Sequence, residues 1–171
     1  AAGGDHANLR HPRYVRARGL LAGAELFDAA FFGCSPLEAR IMDPQLRLFL
    51  ECSWEALEDA GCDPERFPGA IGVYGGVSLP TYLLNNLAGH PELLRQLGGY
   101  QMAIHTDRDY LTTQVSYKLG LEGPSLDVQT ACSTSLVAVH LAPQALLTGD
   151  CDVALAGGVS VKVPQVAGYL H

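Results

Sequence analysis

The stretch Ser125–Gly158, SLDVQTACSTSLVAVHLAPQALLTGDCDVALAGG, decides the fold. It opens with a short run carrying Leu126 and Val128, then passes through the small residues Thr130, Ala131, Cys132 and Ser133. From about Ser133 it becomes strongly apolar, and Leu136, Val137, Val139, Leu141, Ala142, Leu146 and Leu147 predict a helix that Gly149 stops. Asp152–Ala156 reads as a second buried strand, ending in Gly157 and Gly158. Strands at Ser125–Gln129 and Asp152–Ala156, joined by that helix, predict a βαβ unit with a right-handed crossover in a parallel sheet. Cys132 falls at the strand-to-helix turn. A sulfur there meets unpaired N–H groups and the positive end of the helix dipole, a setting that stabilises a thiolate and makes a nucleophile.

Outward from this stretch, the remaining chain is helical with one further strand. Residues 1–24 are rich in Gly, Ala and Arg and read as loop or partly disordered. Glu25–Pro36, ELFDAAFFGCSP, carries Leu26, Phe27, Phe31 and Phe32 as anchors for an irregular segment. Pro36 and Pro44 both stand where helices begin, because a first-turn proline gives up no needed N–H. From Pro44 to Ala60, Leu46, Phe49, Leu50, Trp54, Leu57 and Ala60 recur at three and four residues, an amphipathic helix ended by Gly61. Ala70–Ser78 is a glycine-dense strand. Its Gly72, Gly75 and Gly76 lack the full G-x-G-x-x-G of a nucleotide loop and read as points of close backbone approach. Thr81–Gly99 reads as helical, either continuous or with a break at Gly89–Pro91, and Asp107 caps a helix through Leu119. No repeat, low-complexity linker or domain boundary appears, so 1–171 reads as one unit.

Composition narrows the function classes. With 171 residues, 48% of them hydrophobic and 17% charged, the chain suits one α/β unit with buried strands. A formal net charge of −7 argues against nucleic-acid or anionic-membrane partners. The apolar run LVAVHLAPQALL is interrupted by His140 and Pro143, so no membrane span is expected, and the N-terminus lacks the apolar core of a secretory signal. The five cysteines, odd in number and without C-x-x-C spacing, point to neither zinc nor disulfides and to a reducing cytoplasm.

Cys132 stands out among the chemical candidates by its place in the turn. Cys34, Cys52, Cys62 and Cys151 have no comparable setting and read as structural. His140 lies two helical turns from Cys132, which at ~1.5 Å per residue is about 12 Å, too far for a hydrogen bond. His90 and His105 fall in expected loops, and His6 and His11 in the weak N-terminal region. Pro143 inside the helix should cost a hydrogen bond and kink it, at about 3 kcal/mol if uncompensated.

Several segments carry a resemblance. DVQTACSTSLVAVHLA with CDVALAGGVSV after it, and FFGCSPLEARIMDPQLRLFLECSWEALEDAG earlier, resemble the N-terminal portion of β-ketoacyl synthase (ketosynthase) domains of modular type I polyketide synthases. VQTACSTSLVAVHLA together with TDRDYLTTQVSYKLGLEGPS is similar to the branch found in hybrid or trans-acyltransferase assembly lines, with Gln129 where other branches often have Asp.

The resemblance implies a thiolase-like layered α/β fold, here incomplete. It also implies that Cys132 accepts an acyl group from a phosphopantetheine thioester and that a malonyl-type extender, losing carbon dioxide, then attacks it. The Cys132 N–H would be one oxyanion donor. No cofactor is bound directly; the partners implied are an acyl carrier protein, other domains of a multifunctional synthase that makes antibiotics and related polyketides, and a twin chain. The homodimer would form through the strand around Ser125–Gln129. The family's two histidines, in H-G-T-G-T and K-x-x-x-G-H motifs, do not occur in these residues, so this portion alone is expected to lack condensing activity. The rival readings are a truncated, non-catalytic or merely transacylating interaction module and, from the same fold, a degradative thiolase. MDPQLRL and DVQTACSTS fit ketosynthases better than thiolases.

Overall fold

In a computed structural model, residues 10–165 and 168–171 are described. The loop reading of residues 1–9, and His6 with it, lies outside them. In chain order the elements are β1 (Tyr14–Val15), α1 (Pro36–Ile41), α2 (Pro44–Asp59), β2 (Ile71–Val77) and a π-helical turn at Leu83–Leu87. Then follow α3 (Pro91–Thr106), a 3-10 turn at Arg108–Tyr110, α4 (Leu111–Leu119), β3 (Ser125–Asp127), a 3-10 turn at Ala131–Ser133, α5 (Thr134–Thr148), β4 (Val153–Val159) and β5 (Tyr169–Leu170).

Local chemistry sets the helix starts. Pro36 and Pro44 open α1 and α2 as their fixed φ requires. At α1 the Ser35 hydroxyl accepts the Glu38 N–H at 3.2 Å and the Glu38 carboxylate accepts the Ser35 N–H at 2.7 Å, a capping box. Those bonds hold the Glu38 carboxyl below its usual range. At α2, Asp43 Oδ1 accepts the Gln45 N–H at 2.9 Å.

Three parallel strands form the sheet in the order β3–β2–β4, with Val73 opposite Ser125 on one side and Leu155 on the other. Strands β3 and β4 are therefore not neighbours, as a simple βαβ pair would make them. β2 lies between them, and the crossover through α5 passes over it. Side chains of β2 alternate as a pleat demands. Ile71, Val73 and Val77 pack with Leu46, Phe49, Leu50 and Leu57 of α2 and Leu111, Val115 and Leu119 of α4. Tyr74 faces the other way, onto Ala138, Ala142 and Ala145 of α5. The result is three layers: two helices, a sheet and one helix. A short antiparallel pair, Tyr14 with Leu170 and Val15 with Tyr169, stands apart.

Other expectations need correction. β3 is three residues long rather than five, and Leu126 on it is 50% exposed; the strand is outermost in the sheet, and its outer edge has no neighbour among the described residues. β4 continues through Gly157 and Gly158 to Val159. The segment Thr81–Gly99 does break near Gly89–Pro91, but the helix beyond runs to Thr106 with a kink at Gly98 (φ 73°). Asp107 caps the 3-10 turn, accepting the Asp109 N–H, and α4 begins only at Leu111. Phe27 and Phe32 stack in the anchoring segment, while Leu26 and Phe31 stay exposed. Ala60 is an exposed C-cap rather than a core position.

Helix α5 departs most from its sequence reading. It runs through Pro143 without interruption and buries only its alanine stripe; Leu136 is 74% and Leu147 81% exposed. The 18 residues Ala131–Thr148 are long and apolar enough to cross a membrane, contrary to the expectation that no run approaches that length. In this fold the segment is the crossover helix between β3 and β4, packed on the sheet along one side.

Candidate active site

Strand β3 delivers the chain to the turn. Val128 donates its N–H to Gly75 O at 2.7 Å, after which the backbone leaves the sheet. Cys132 lies in the 3-10 turn Ala131–Ser133, directly before α5, with its side chain exposed. The preceding Ala131 has φ 54°, a left-handed conformation that a residue with a β-carbon adopts at a cost of about 1–2 kcal/mol.

Hydrogen bonds hold that conformation. The Thr130 N–H donates to Thr134 Oγ1 at 3.0 Å, the Thr134 hydroxyl donates to Ala131 O at 2.8 Å, and the Ser133 hydroxyl donates to Thr130 O at 2.8 Å. Below the turn is Gly76 of β2. A β-carbon there would collide with Val128 O and the Thr134 methyl, so glycine lets the turn sit directly on the sheet. Sequence reasoning took Thr130–Ser133 as merely small. The signal it passed over is a threonine four residues past Thr130, where a hydroxyl reaches back to the turn's main chain.

The other candidates are not brought to this point. Cys34 and Cys151 are buried and Cys62 is half-buried, as structural cysteines are. Cys52 instead has an exposed thiol, and partial burial followed by the charges of Glu55 and Glu51 pushes its pKa up, so it is held in the unreactive thiol form. His140 is exposed on α5. His105 corrects its loop assignment: it is buried in the last turn of α3, with Nδ1 unpartnered among the described residues. Burial lowers its pKa more than Glu38 raises it, with Lys118 lowering it further, which favours the neutral ring. His90 lies 3.0 Å from Glu92, and His11 accepts the Arg13 N–H. None of these contacts reaches Cys132. Among the described residues no group of three His, Cys, Asp or Glu side chains could hold a metal ion.

Cys132 is thus an exposed cysteine behind a left-handed residue, at the head of a helix that crosses a parallel sheet. The sequence profile of the family described as "Beta-ketoacyl synthase, N-terminal domain" matches residues 3–170. The chain belongs to the β-ketoacyl synthase family.

Within that family it is 52% identical over 174 residues to one component of the phenolphthiocerol/phthiocerol polyketide synthase of Mycobacterium tuberculosis, covering 98% of this chain and 12% of that protein. It is 53% identical over 151 residues to the pikromycin polyketide synthase component PikAII of Streptomyces venezuelae, covering 86% of this chain and 4% of that one. Ketosynthase twelve of the bacillaene polyketide synthase from Bacillus amyloliquefaciens superposes with a TM-score of 0.82 at 37% identity, over 98% of this chain and 29% of that one. The module 1 ketosynthase of the bacillaene synthase from the same species gives 0.75 at 36% identity, over 94% of this chain and 28% of that one. This ketosynthase chain thus has the thiolase-like layered α/β fold and spans under a third of its solved relatives and about an eighth or less of these curated ones.

Proposed function

We propose that this chain carries the acyl-accepting half of a polyketide ketosynthase, with Cys132 as nucleophile. The observation that carries the reading is the exposed Cys132 thiol in the turn between β3 and α5, set behind left-handed Ala131. The cysteine sulfur, as thiolate, adds to the carbonyl carbon of an acyl thioester on the phosphopantetheine arm of a carrier protein. The tetrahedral oxyanion collapses, the bond to the pantetheine sulfur breaks, and that sulfur leaves and takes up a proton. The acyl group then waits on Cys132 as a thioester. Its condensation with a malonyl-type extender, which loses carbon dioxide to supply the attacking carbon, draws on histidines outside these residues.

The outer edge of β3, unpaired among the described residues, and its exposed Leu126 support a homodimer in which this strand pairs with its twin across a two-fold axis. Further partners are the acyl carrier protein and the neighbouring domains of a multifunctional synthase, in the cytoplasm.

The test treats the intact protein with an acyl thioester of N-acetylcysteamine and locates the acyl group by mass spectrometry. The expected result is label on Cys132, lost in Cys132→Ala, with Cys52 unmodified. A folded protein with no label on Cys132 supports the rival, a non-catalytic interaction module.

A further inference from the structure

The hydrogen bonds around the turn converge on Thr134, not on the cysteine. Its hydroxyl accepts the Thr130 N–H at 3.0 Å and donates to Ala131 O at 2.8 Å, and its backbone N–H donates to the same carbonyl. That carbonyl belongs to the peptide unit whose N–H is the N–H of Cys132. In a planar trans peptide the two point in opposite directions, so anchoring the Ala131 oxygen turns the Cys132 N–H away from Thr134. Two donors on the carbonyl also polarise the peptide and make its N–H a stronger donor. The Thr134 methyl meanwhile rests where Gly76 has no side chain.

We propose that Thr134 is a positioning residue for acyl transfer, acting through the Ala131–Cys132 peptide. Its hydroxyl fixes the Cys132 N–H in the direction where the thioester oxygen becomes negative as the sulfur adds to the carbonyl carbon. Gly76 provides the seat that keeps the hydroxyl in place. The proposal rests on Cys132 being the acyl-accepting nucleophile.

Two reactions of one thiol separate this role from a general loosening of the turn. Acylation by an N-acetylcysteamine thioester develops an oxyanion, whereas alkylation by iodoacetamide displaces iodide and develops none. In the intact protein, Thr134→Val keeps the methyl and loses the hydroxyl, and should slow acylation of Cys132 about 10- to 100-fold, less than the roughly 100- to 1000-fold lost when an oxyanion donor is removed outright. Alkylation of Cys132 should stay within about twofold of the unaltered protein, and Thr134→Ser should restore acylation, because it keeps the donor and acceptor. If Thr134→Val does not fold, Thr134→Ala carries the same comparison. Equal acylation rates with and without the hydroxyl overturn the proposal, and so does an equal fall in acylation and alkylation. Labelling of the unaltered protein at Cys132 leaves the nucleophile standing in both those cases, whereas its absence overturns the nucleophile and its brace together.

Discussion

The carboxylate of Asp127 accepts the backbone N–H of Thr112 at 3.1 Å, so the strand that leads to Cys132 also caps the first turn of α4. This is an N-cap supplied from another element, and it ties the β3 end of the Cys132 turn to the helix behind the sheet. Asp127→Ala should lose about 1 kcal/mol of stability, on the scale of a lost cap, while Asp127→Asn, which keeps the accepting oxygen, should lose much less. Urea denaturation of the three proteins at pH 7 checks this; equal loss in both variants would remove the cap from the account.

Burial pushes the Asp127 carboxyl above its ordinary range, with the Thr112 bonds only partly offsetting it, and does the same to Asp43. A carboxyl raised on folding favours the folded state while protonated. Its contribution is complete below the unfolded value of about 3.9 and is lost as pH rises through the folded value. The stability of the unaltered protein relative to Asp43→Asn should therefore decline as pH climbs from about 4 towards neutrality. Denaturation midpoints across that range test the sign, and a gap that widens in favour of the unaltered protein with rising pH contradicts it.

Gln45, buried at the start of α2, clasps the ends of two strands. Its Oε1 accepts the Ser78 hydroxyl at 2.7 Å and the Val161 N–H at 3.0 Å, and its Nε2 donates to Leu79 O at 3.4 Å. Gln45→Leu keeps most of the volume but strands the Val161 N–H and crowds the Ser78 hydroxyl. At about 1–3 kcal/mol for a buried group left unsatisfied, a loss of about 2–4 kcal/mol is expected in thermal or urea unfolding. A loss below about 0.5 kcal/mol, the level of an ordinary surface substitution, would deny the clasp any structural weight.

Position 131 gives a prediction of opposite character. Ala131→Gly removes the β-carbon that left-handed backbone resists but adds freedom to the unfolded chain, so stability should change by less than about 1 kcal/mol in either direction. Ala131→Val places a branched side chain at the same φ and should cost on the order of 1–3 kcal/mol. Comparable unfolding midpoints for the glycine and valine variants would show that the strain is not at this residue.

How much of this was legible in the residues depends on where each signal lives. The prolines at 36 and 44, the three-and-four spacing of Leu46, Phe49, Leu50 and Leu57, and the stop at Gly149 are local chemistry, and the helices lie where that chemistry puts them. The place of β2 between β3 and β4 could not be read, because strand order is decided by which faces cover one another across long stretches of chain. Which side of α5 is covered could not be read for a related reason: apolar residues on every side of a helix show that it is made to be surrounded, not which side this sheet covers. At the site, Cys132 was visible through its turn and its neighbours. Thr134 was not, since its part depends on two hydrogen bonds that straddle a left-handed residue, and on a glycine far away in sequence.

The middle strand sets the timetable for folding. Both partners of β2 are made later by the ribosome, and the contact between Ala70 and Asp152 closes a loop of 82 residues. Parallel pairings of such separation form slowly, because the chain entropy of closure is lost before the contacts return it. Until β4 arrives, the edge of β2 that will receive it is an open row of backbone N–H and C=O groups, so this chain should fold on the slow side for its size. During that interval the segment around β2 is the part most exposed to pairing with the wrong chain.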